Sequence, residues 1–304
     1  MPNRQQKEPW GQFTEKPISG DLPPTNRKHI FLFSFATFFF WTALYLYVPI
    51  LPVYARSLGA SLSMVGIIVA SYAIPQLLFR IPIGMLFDAT ARRKSLLAGG
   101  ILMASVGALG LGLAPNAWSL FWARVITGIG AATWVIFTVY FMAYYSQESA
   151  RRAIGTINFV QGAAVVSATA SGGVIAEKLG ISHAFWGAVL LGIAALIALL
   201  FSREPTVSRT EPVSWKSFKL VANCPPLLMA SFMGILSQFA NWSGLFGFIP
   251  IYATQIGASS ADLGIITMLA LASSAVAALV VVYIAKRWGN SVAIVLGSIL
   301  MGSA

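Results

Sequence analysis

The feature that most limits what this chain can fold into is a succession of long apolar stretches separated by short polar gaps. Eight reach membrane-crossing length, approximately His29–Tyr54, Leu62–Phe87, Ser95–Leu113, Trp118–Tyr144, Ala153–Ile175, His183–Phe201, Pro226–Ile251 and Ala261–Ile284. An α-helix rises about 1.5 Å per residue, so a hydrocarbon core about 30 Å thick takes about 20 apolar residues. Hydrocarbon offers the backbone no hydrogen bonds, so each stretch is expected to be a helix. The alternating strands of about ten residues that build a membrane barrel are not seen. A ninth apolar run, Ser291–Ala304, holds 14 residues. It reads as the start of a further span in a truncated chain or a fragment of a longer one. The expected fold class is an all-α membrane bundle of about eight and a half spans.

Composition sharpens this. Charged residues make up 10% of the 304, against about 25% in soluble domains, which excludes an ordinary cytosolic enzyme. The net charge of +11 does not point to nucleic acid, because the basic residues sit in gaps between the apolar runs. Sixteen of the 20 fall on one set of gaps: Arg4 to Lys28, Arg92–Lys94, Arg151–Arg152, Arg203 to Lys219 and Lys286–Arg287. The opposite set holds only Arg56 and Lys178, and the last two, Arg80 and Arg124, lie inside spans. That asymmetry predicts a multi-pass protein of the cell inner membrane with its N-terminus in the cytosol. Residues 1–28 are polar and lack an apolar core, and read as a disordered cytosolic tail rather than a signal peptide.

A repeat is written into the chain. Residues 52–68 (PVYARSLGASLSMVGII) and 250–266 (PIYATQIGASSADLGII) are identical at nine of 17 positions at an offset of 198. The offset covers six spans, an even number, so both copies share one orientation, as in the parallel halves of a transporter. The expected organisation is a six-span half over 29–201, a linker over 202–225 and part of a second half over 226–304. Within the linker, Trp215, Phe218 and Val221 share a helical face and fit either a short interfacial helix or a plain polar connection.

Residues Gly84-Met85-Leu86-Phe87-Asp88-Ala89-Thr90-Ala91-Arg92-Arg93-Lys94 follow the second span. They resemble the loop 2–3 pattern of the major facilitator superfamily, G-x-L-x-D-x-x-G-R-R-K, with Ala91 in place of the second glycine. In the fourth span, Arg124-Val-Ile-Thr-Gly128-Ile-Gly130-Ala-Ala resembles that family's R-x-x-x-G-x-G-A-A pattern. Gln147 to Gly155 is similar to its loop 4–5. In the fifth span, Gly172-Gly173 matches the end of the antiporter pattern G-P-x-x-G-G, while Ala168-Thr169 replaces the Gly-Pro. The resemblance implies a helical bundle with a parent of twelve spans, and transport of a small molecule by alternating access. It also implies that Asp88 latches the outward-facing state against a span beyond residue 304, and that spans one, four and seven border a central cavity. Asp88 lies at a helix C-terminus, where an anion needs a partner; Arg92, four residues on, is the local one. Gly128 and Gly130 are expected chiefly to let another helix approach closely.

Charge at membrane depth is costly and faces a cavity or a partner. Arg124 lies about 10 Å from the outer face, counted at 1.5 Å per residue, and is the main candidate for substrate binding or coupling. Arg80 fits equally a pairing across the bundle or a reach toward the cytosol. Uncharged candidates are Trp41 and Tyr45, Trp134, Asn158 and Gln161, and Gln238, Asn241 and Trp242. Trp41 with Tyr45, and Gln238 with Trp242, are four residues apart and share faces. Together they would make an aromatic, amide-rich pocket for an amphipathic solute. No Asp or Glu lies at depth within the eight spans: Glu177 and Asp262 sit at outer ends and Glu148 in a cytosolic loop, so a proton-coupling carboxylate would lie after residue 304 or coupling would take another route. No metal or cofactor is expected: the chain has one cysteine, Cys224, and two distant histidines. Walker A, G-x-S-x-G and H-E-x-x-H patterns are absent, so an enzyme is not expected. The expected function is transport of a small organic solute as a monomer, most simply proton-driven efflux. Nutrient uptake and a non-transporting fragment stand as alternatives.

Overall fold

A computed structural model describes residues 27–90, 92–145, 149–205, 223–289, 292 and 295–297. Among them the helices are α1 (Arg27–Tyr45), α2 (Leu51–Ser57), α3 (Leu62–Ala70), α4 (Ala73–Ala89), α5 (Arg93–Gly112) and α6 (Ala117–Ala132). They continue with α7 (Trp134–Met142), α8 (Ala150–Leu179), α9 (Ile181–Phe201), α10 (Pro225–Ser243), α11 (Ile249–Gln255) and α12 (Ser260–Trp288). No strand occurs among the described residues. Among the described residues six stretches are long and apolar enough to cross a membrane: Leu62–Ala89, Arg93–Gly112, Ala117–Met142, Arg152–Leu179, Ile181–Phe201 and Ser260–Ala277. The expected tail, most of the linker with its interfacial helix, and nearly all of the ninth run lie outside the described residues.

Several expected rods are interrupted, and local chemistry explains each break. The first and seventh runs each end in a separate helix of seven residues, α2 and α11, with Pro52 and Pro250 in the first turn. Proline is tolerated there but not in a helix interior. Ahead of Pro250 the chain widens into a π turn over Gly244–Phe248, the usual accommodation of a displaced i→i−4 bond. Pro75 has no N–H to offer the Ser71 carbonyl, and α3 gives way to α4 at Ser71–Tyr72. In the fourth run, Thr133 Oγ1 donates to the Gly130 carbonyl at 2.7 Å. That back-bond tightens the turn between α6 and α7.

The sequence repeat is also a structural one. After both α2 and α11 the chain turns through a glycine with positive φ, Gly59 at 82° and Gly257 at 99°. Only glycine adopts that conformation without strain. Behind each, an alanine N–H closes the turn: Ala60 N donates to Ala55 O at 3.0 Å and Ala258 N to Ala253 O at 2.9 Å. Ser61 Oγ then accepts from Met64 N, and Ser259 Oγ from Asp262 N, both at 3.2 Å. These side chains meet free N–H groups at the starts of α3 and α12. The α2 and α11 segments also pack on each other, so both copies lie at one end of the bundle.

Helix α1 packs on α8 and α9, α5 lies between α6 and α9, α4 lies on α6, and α8 lies on α12. Small residues make these approaches possible. A Cβ at Gly130 would come within 2.7 Å of Ala104 N and Gly100 O, so α6 touches α5 backbone to backbone. A buried stack of Phe33, Phe40, Phe137, Tyr140 and Phe141 ties α1 to α7. Phe159, Leu190 and Phe201 face outward, as expected of a hydrocarbon-facing surface rather than a wetted one.

Candidate functional site

A cavity of about 1020 Å³ opens between α1, α4, α7, α8, α10 and α12. That is the upper end of the range for small-molecule sites, roughly 300–1,000 Å³. Of the nine expected substrate residues, Trp41, Tyr45, Trp134, Gln161, Gln238, Asn241 and Trp242 line it. Asn158, one turn before Gln161, does not. The i, i+4 pairs fall on the inward face as their spacing requires.

The aromatic side chains form a connected wall. Trp134 meets Trp41 edge-on with ring centroids 5.1 Å apart, and Trp41 lies 5.7 Å from Tyr45. Tyr45 reaches Phe246 at 6.1 Å, Phe246 lies 4.8 Å from Trp242, and Trp242 lies 5.5 Å from Tyr72. Trp41 Nε1 and Tyr72 Oη are buried and have no hydrogen-bond partner among the described residues. Buried donors left in that condition cost free energy that a ligand group could recover.

Sequence reasoning missed Tyr72 and Gln76 and left Arg80 undecided. Arg80 Nη2 donates to Gln76 Oε1 at 2.6 Å, and Gln76 Nε2 donates to the Tyr72 carbonyl at 3.1 Å. All three line the cavity. The i→i−4 direction carries the Arg80 guanidinium back along α4, away from the Asp88 end. The cue was present as Tyr72-x-x-x-Gln76-x-x-x-Arg80, one residue per turn on one face.

Arg124 is not a cavity residue. It is 1% exposed and lies behind Tyr72. Its guanidinium carbon stands 4.2 Å from the Tyr72 ring centroid and 5.6 Å from that of Tyr47. Nη1 donates to Tyr47 Oη at 3.5 Å, a long bond, and Nε has no partner among the described residues. No carboxylate pairs with it among the described residues. Gly128, one turn on, lets α6 approach this layer: a Cβ there would stand 2.5 Å from Tyr72 O and 2.6 Å from Pro75 Cγ. The expected packing roles of Gly128 and Gly130 thus have a concrete geometry.

At the basic end, Asp88 and Arg92 do not form an ion pair among the described residues; Arg92 N donates instead to Thr90 Oγ1 at 3.3 Å. The acid that organises this end is Glu204. It accepts from Arg93 N at 3.0 Å and Lys94 N at 3.3 Å, capping α5 where its free N–H groups favour an anion. Lys94 Nζ donates to the Leu200 and Ser202 carbonyls at 2.7 and 2.6 Å, serving the C-terminus of α9. Arg93 is buried, donates from Nε to Phe87 O at 3.3 Å and covers the Phe87 ring. A Cβ at Gly84 would meet nothing within 4 Å.

At the other end, α8 and α12 close tightly. A Cβ at Gly172 would strike the Leu46 carbonyl, and one at Gly173 the Ser260 carbonyl and the Gly264 Cα. Gly264 in turn faces the Thr169 carbonyl. Glu177 Oε2 accepts from Ala261 N at 2.8 Å, fastening α8 to the first turn of α12. Among the described residues no group of three or more His, Cys, Asp or Glu side chains could hold a metal ion.

The Major Facilitator Superfamily family model matches residues 33–304. The inner membrane transport protein YajR of Escherichia coli is 28% identical over 225 residues, 72% of this chain and 49% of that one. The multi-drug resistance efflux pump PmrA of Streptococcus pneumoniae is 25% identical over 234 residues, 73% of this chain and 57% of that one. The chain thus spans about half the length of the curated relatives it matches. Among solved structures, a bacterial homolog of the human lysosomal transporter Spinster, inward-facing and unoccupied, superposes with a TM-score of 0.72 at 17% identity. That match covers 88% of this chain and 64% of that one. With a family match over nearly its whole length, and with that fold, the chain belongs to the Major Facilitator Superfamily, a family of transporters and not of enzymes.

Proposed function

We propose that this chain carries the binding cavity of a secondary transporter that moves a small organic solute out across the inner membrane by alternating access, driven by protons. The observation that carries this reading is the pairing of an open cavity with a sealed end. Aromatic and amide side chains from the first, second, fourth, fifth and seventh runs converge on the cavity, and Leu271 and Ala275 of the eighth complete it. Past it, α8 meets α12 through Gly173 and Gly264, and meets the end of the first run at Leu46 through Gly172, with no room for a side chain at any of the three. A binding site open toward one face and closed toward the other is one of the two states that alternating access requires. The 16-to-2 asymmetry of basic residues supports a cytosolic N-terminus, which makes this the inward-facing state. On the same reading 29–201 is the first half, 202–225 the linker and 226–304 part of the second, in a monomer. The efflux direction follows the named function of PmrA.

Arg124 is the residue we assign to coupling. It is a buried cation with an unused donor, screened from the solute by one tyrosine ring, and so sensitive to what occupies the cavity. In this account Asp88 and Arg92 serve the gate at the basic end. The test is flux of a fluorescent aromatic solute in vesicles holding the intact gene product, with an imposed pH gradient. Solute should move against the proton gradient, and Arg124→Ala should abolish the movement while membrane insertion persists. Unchanged flux in that variant removes Arg124 from coupling. Flux along the proton gradient instead favours uptake, the reading to which Ala168-Thr169, in place of Gly-Pro, also leans.

A further inference from the structure

The electrostatics of the cavity narrow what it can hold. Arg80 is the one charged side chain among the described residues that line it, and no described Asp or Glu does so. Its guanidinium is tied at Nη2 to Gln76, and its remaining N–H donors have no hydrogen-bond partner among the described residues. A second guanidinium, that of Arg124, stands 4.2 Å behind the Tyr72 ring, also without a carboxylate. Two cations therefore flank one apolar-walled space, with no compensating anion among the described residues. Arg124 is buried, so its charge acts more strongly than it would in water, while Arg80 is exposed to the cavity and reachable by a ligand. An organic cation would meet repulsion there. A neutral solute would displace water from the exposed Arg80 donors without offering a charge in return. An anion would satisfy both the field and the donors, and a guanidinium fork matches a carboxylate well.

The rest of the cavity favours a ring. Trp134, Trp41, Tyr45, Phe246, Trp242 and Tyr72 form a continuous series of ring contacts from 4.8 to 6.1 Å along one side. The amides of Gln161, Gln238 and Asn241 also line the cavity and carry donors and acceptors suited to polar substituents. We propose that the solute is an aromatic monoanion, its ring against the tryptophan–tyrosine wall and its carboxylate on the Arg80 guanidinium. The proposal names the substrate class of the site above and so rests on the transporter reading.

Binding, rather than flux, separates the two claims. The intact gene product, purified in detergent, is titrated calorimetrically with 2-naphthoate, 2-naphthamide and 2-naphthylmethylammonium, which share a ring system and differ in charge. Charge-assisted hydrogen bonds should give the carboxylate about a tenfold or greater advantage over the amide, with the ammonium weakest. Arg80→Gln should bring the carboxylate down to the level of the amide while the amide's own affinity holds. Arg80→Lys should restore part of the preference, which shows that charge and not folding is being read. Equal affinities, a preference for the ammonium, no binding of any of the three, or a carboxylate preference that survives Arg80→Gln would each overturn the assignment. Flux of neutral or cationic solutes without a carboxylate preference would sink this inference and leave transport standing. Arg80-dependent binding without flux would do the reverse.

Discussion

Arg124 offers a test in which stability and function should part company. The perturbation is Arg124→Met, which keeps bulk and removes charge. Burying a guanidinium costs several kcal/mol even after relaxation. Against this stand two ring contacts, at 4.2 and 5.6 Å, each worth about 2 kcal/mol when desolvated. The 3.5 Å bond to Tyr47 Oη adds little, and the partnerless Nε costs about 1–3 kcal/mol. The balance lies near zero or on the unfavourable side. A flexible apolar chain of similar size can fill the same slot between Tyr47 and Tyr72. Replacing buried ionic groups by packed apolar ones is often neutral or stabilising by about 1–4 kcal/mol. The melting temperature in detergent, followed by thiol-independent intrinsic fluorescence, should therefore hold or rise by several degrees, since about 1 kcal/mol moves it by about 2–4 °C. Arg124→Ala supplies the contrast: it leaves a void between two tyrosine rings, and large-to-small core changes cost about 2–5 kcal/mol. A fall of more than about 4 °C in the Met variant would show that the guanidinium holds the bundle together, and the argument for a residue kept for function would fail.

Three further outcomes follow from the packing. Gly128→Ala places a methyl 2.5 Å from Tyr72 O, so the α3–α4 junction must retreat by about 1 Å to reach ordinary contact. The thermal unfolding of that variant should report a loss of about 1–3 kcal/mol. Gly84→Ala, with open space around it, should instead gain up to about 1 kcal/mol in helix propensity; a loss there would mean the glycine packs against something. Cysteines at Glu177 and Ala261, joined by a short thiol crosslinker in a Cys224→Ser background, should hold α8 on α12, arrest flux and release it on reduction. Full flux in the crosslinked protein would show that this end does not open during transport.

What could be read from the chain alone divides by range. The turn after α2 and its copy after α11 were legible because their chemistry is local: a glycine with positive φ, then an alanine and a serine whose N–H and hydroxyl close the turn. The inward faces of Trp41 with Tyr45 and of Gln238 with Trp242 were legible for the same reason, since helical spacing alone places them together. Arg80 lay within reach of that logic. Its neighbours at i−4 and i−8, Gln76 and Tyr72, are short-range partners, and the side-chain amide decides the direction that an isolated arginine leaves open. Arg124 and Glu204 lay outside it. The setting of Arg124 comes from Tyr72, 52 residues earlier, and Tyr47, 77 residues earlier. Glu204 meets α5 across 110 and 111 residues, and nothing in the polar segment after α9 marks it off from Arg203 or Glu211. Both cases concern charge, and the reason is physical. An apolar residue at membrane depth has one outcome, burial or hydrocarbon, that depends on its own helix. A cation or anion takes its energy from whichever dipole, ring or carbonyl the tertiary fold brings near it. Charged residues whose setting is tertiary are therefore the ones whose roles a linear reading is least able to assign, and the Arg124→Met and Arg124→Ala pair tests the case that lies inside the bundle.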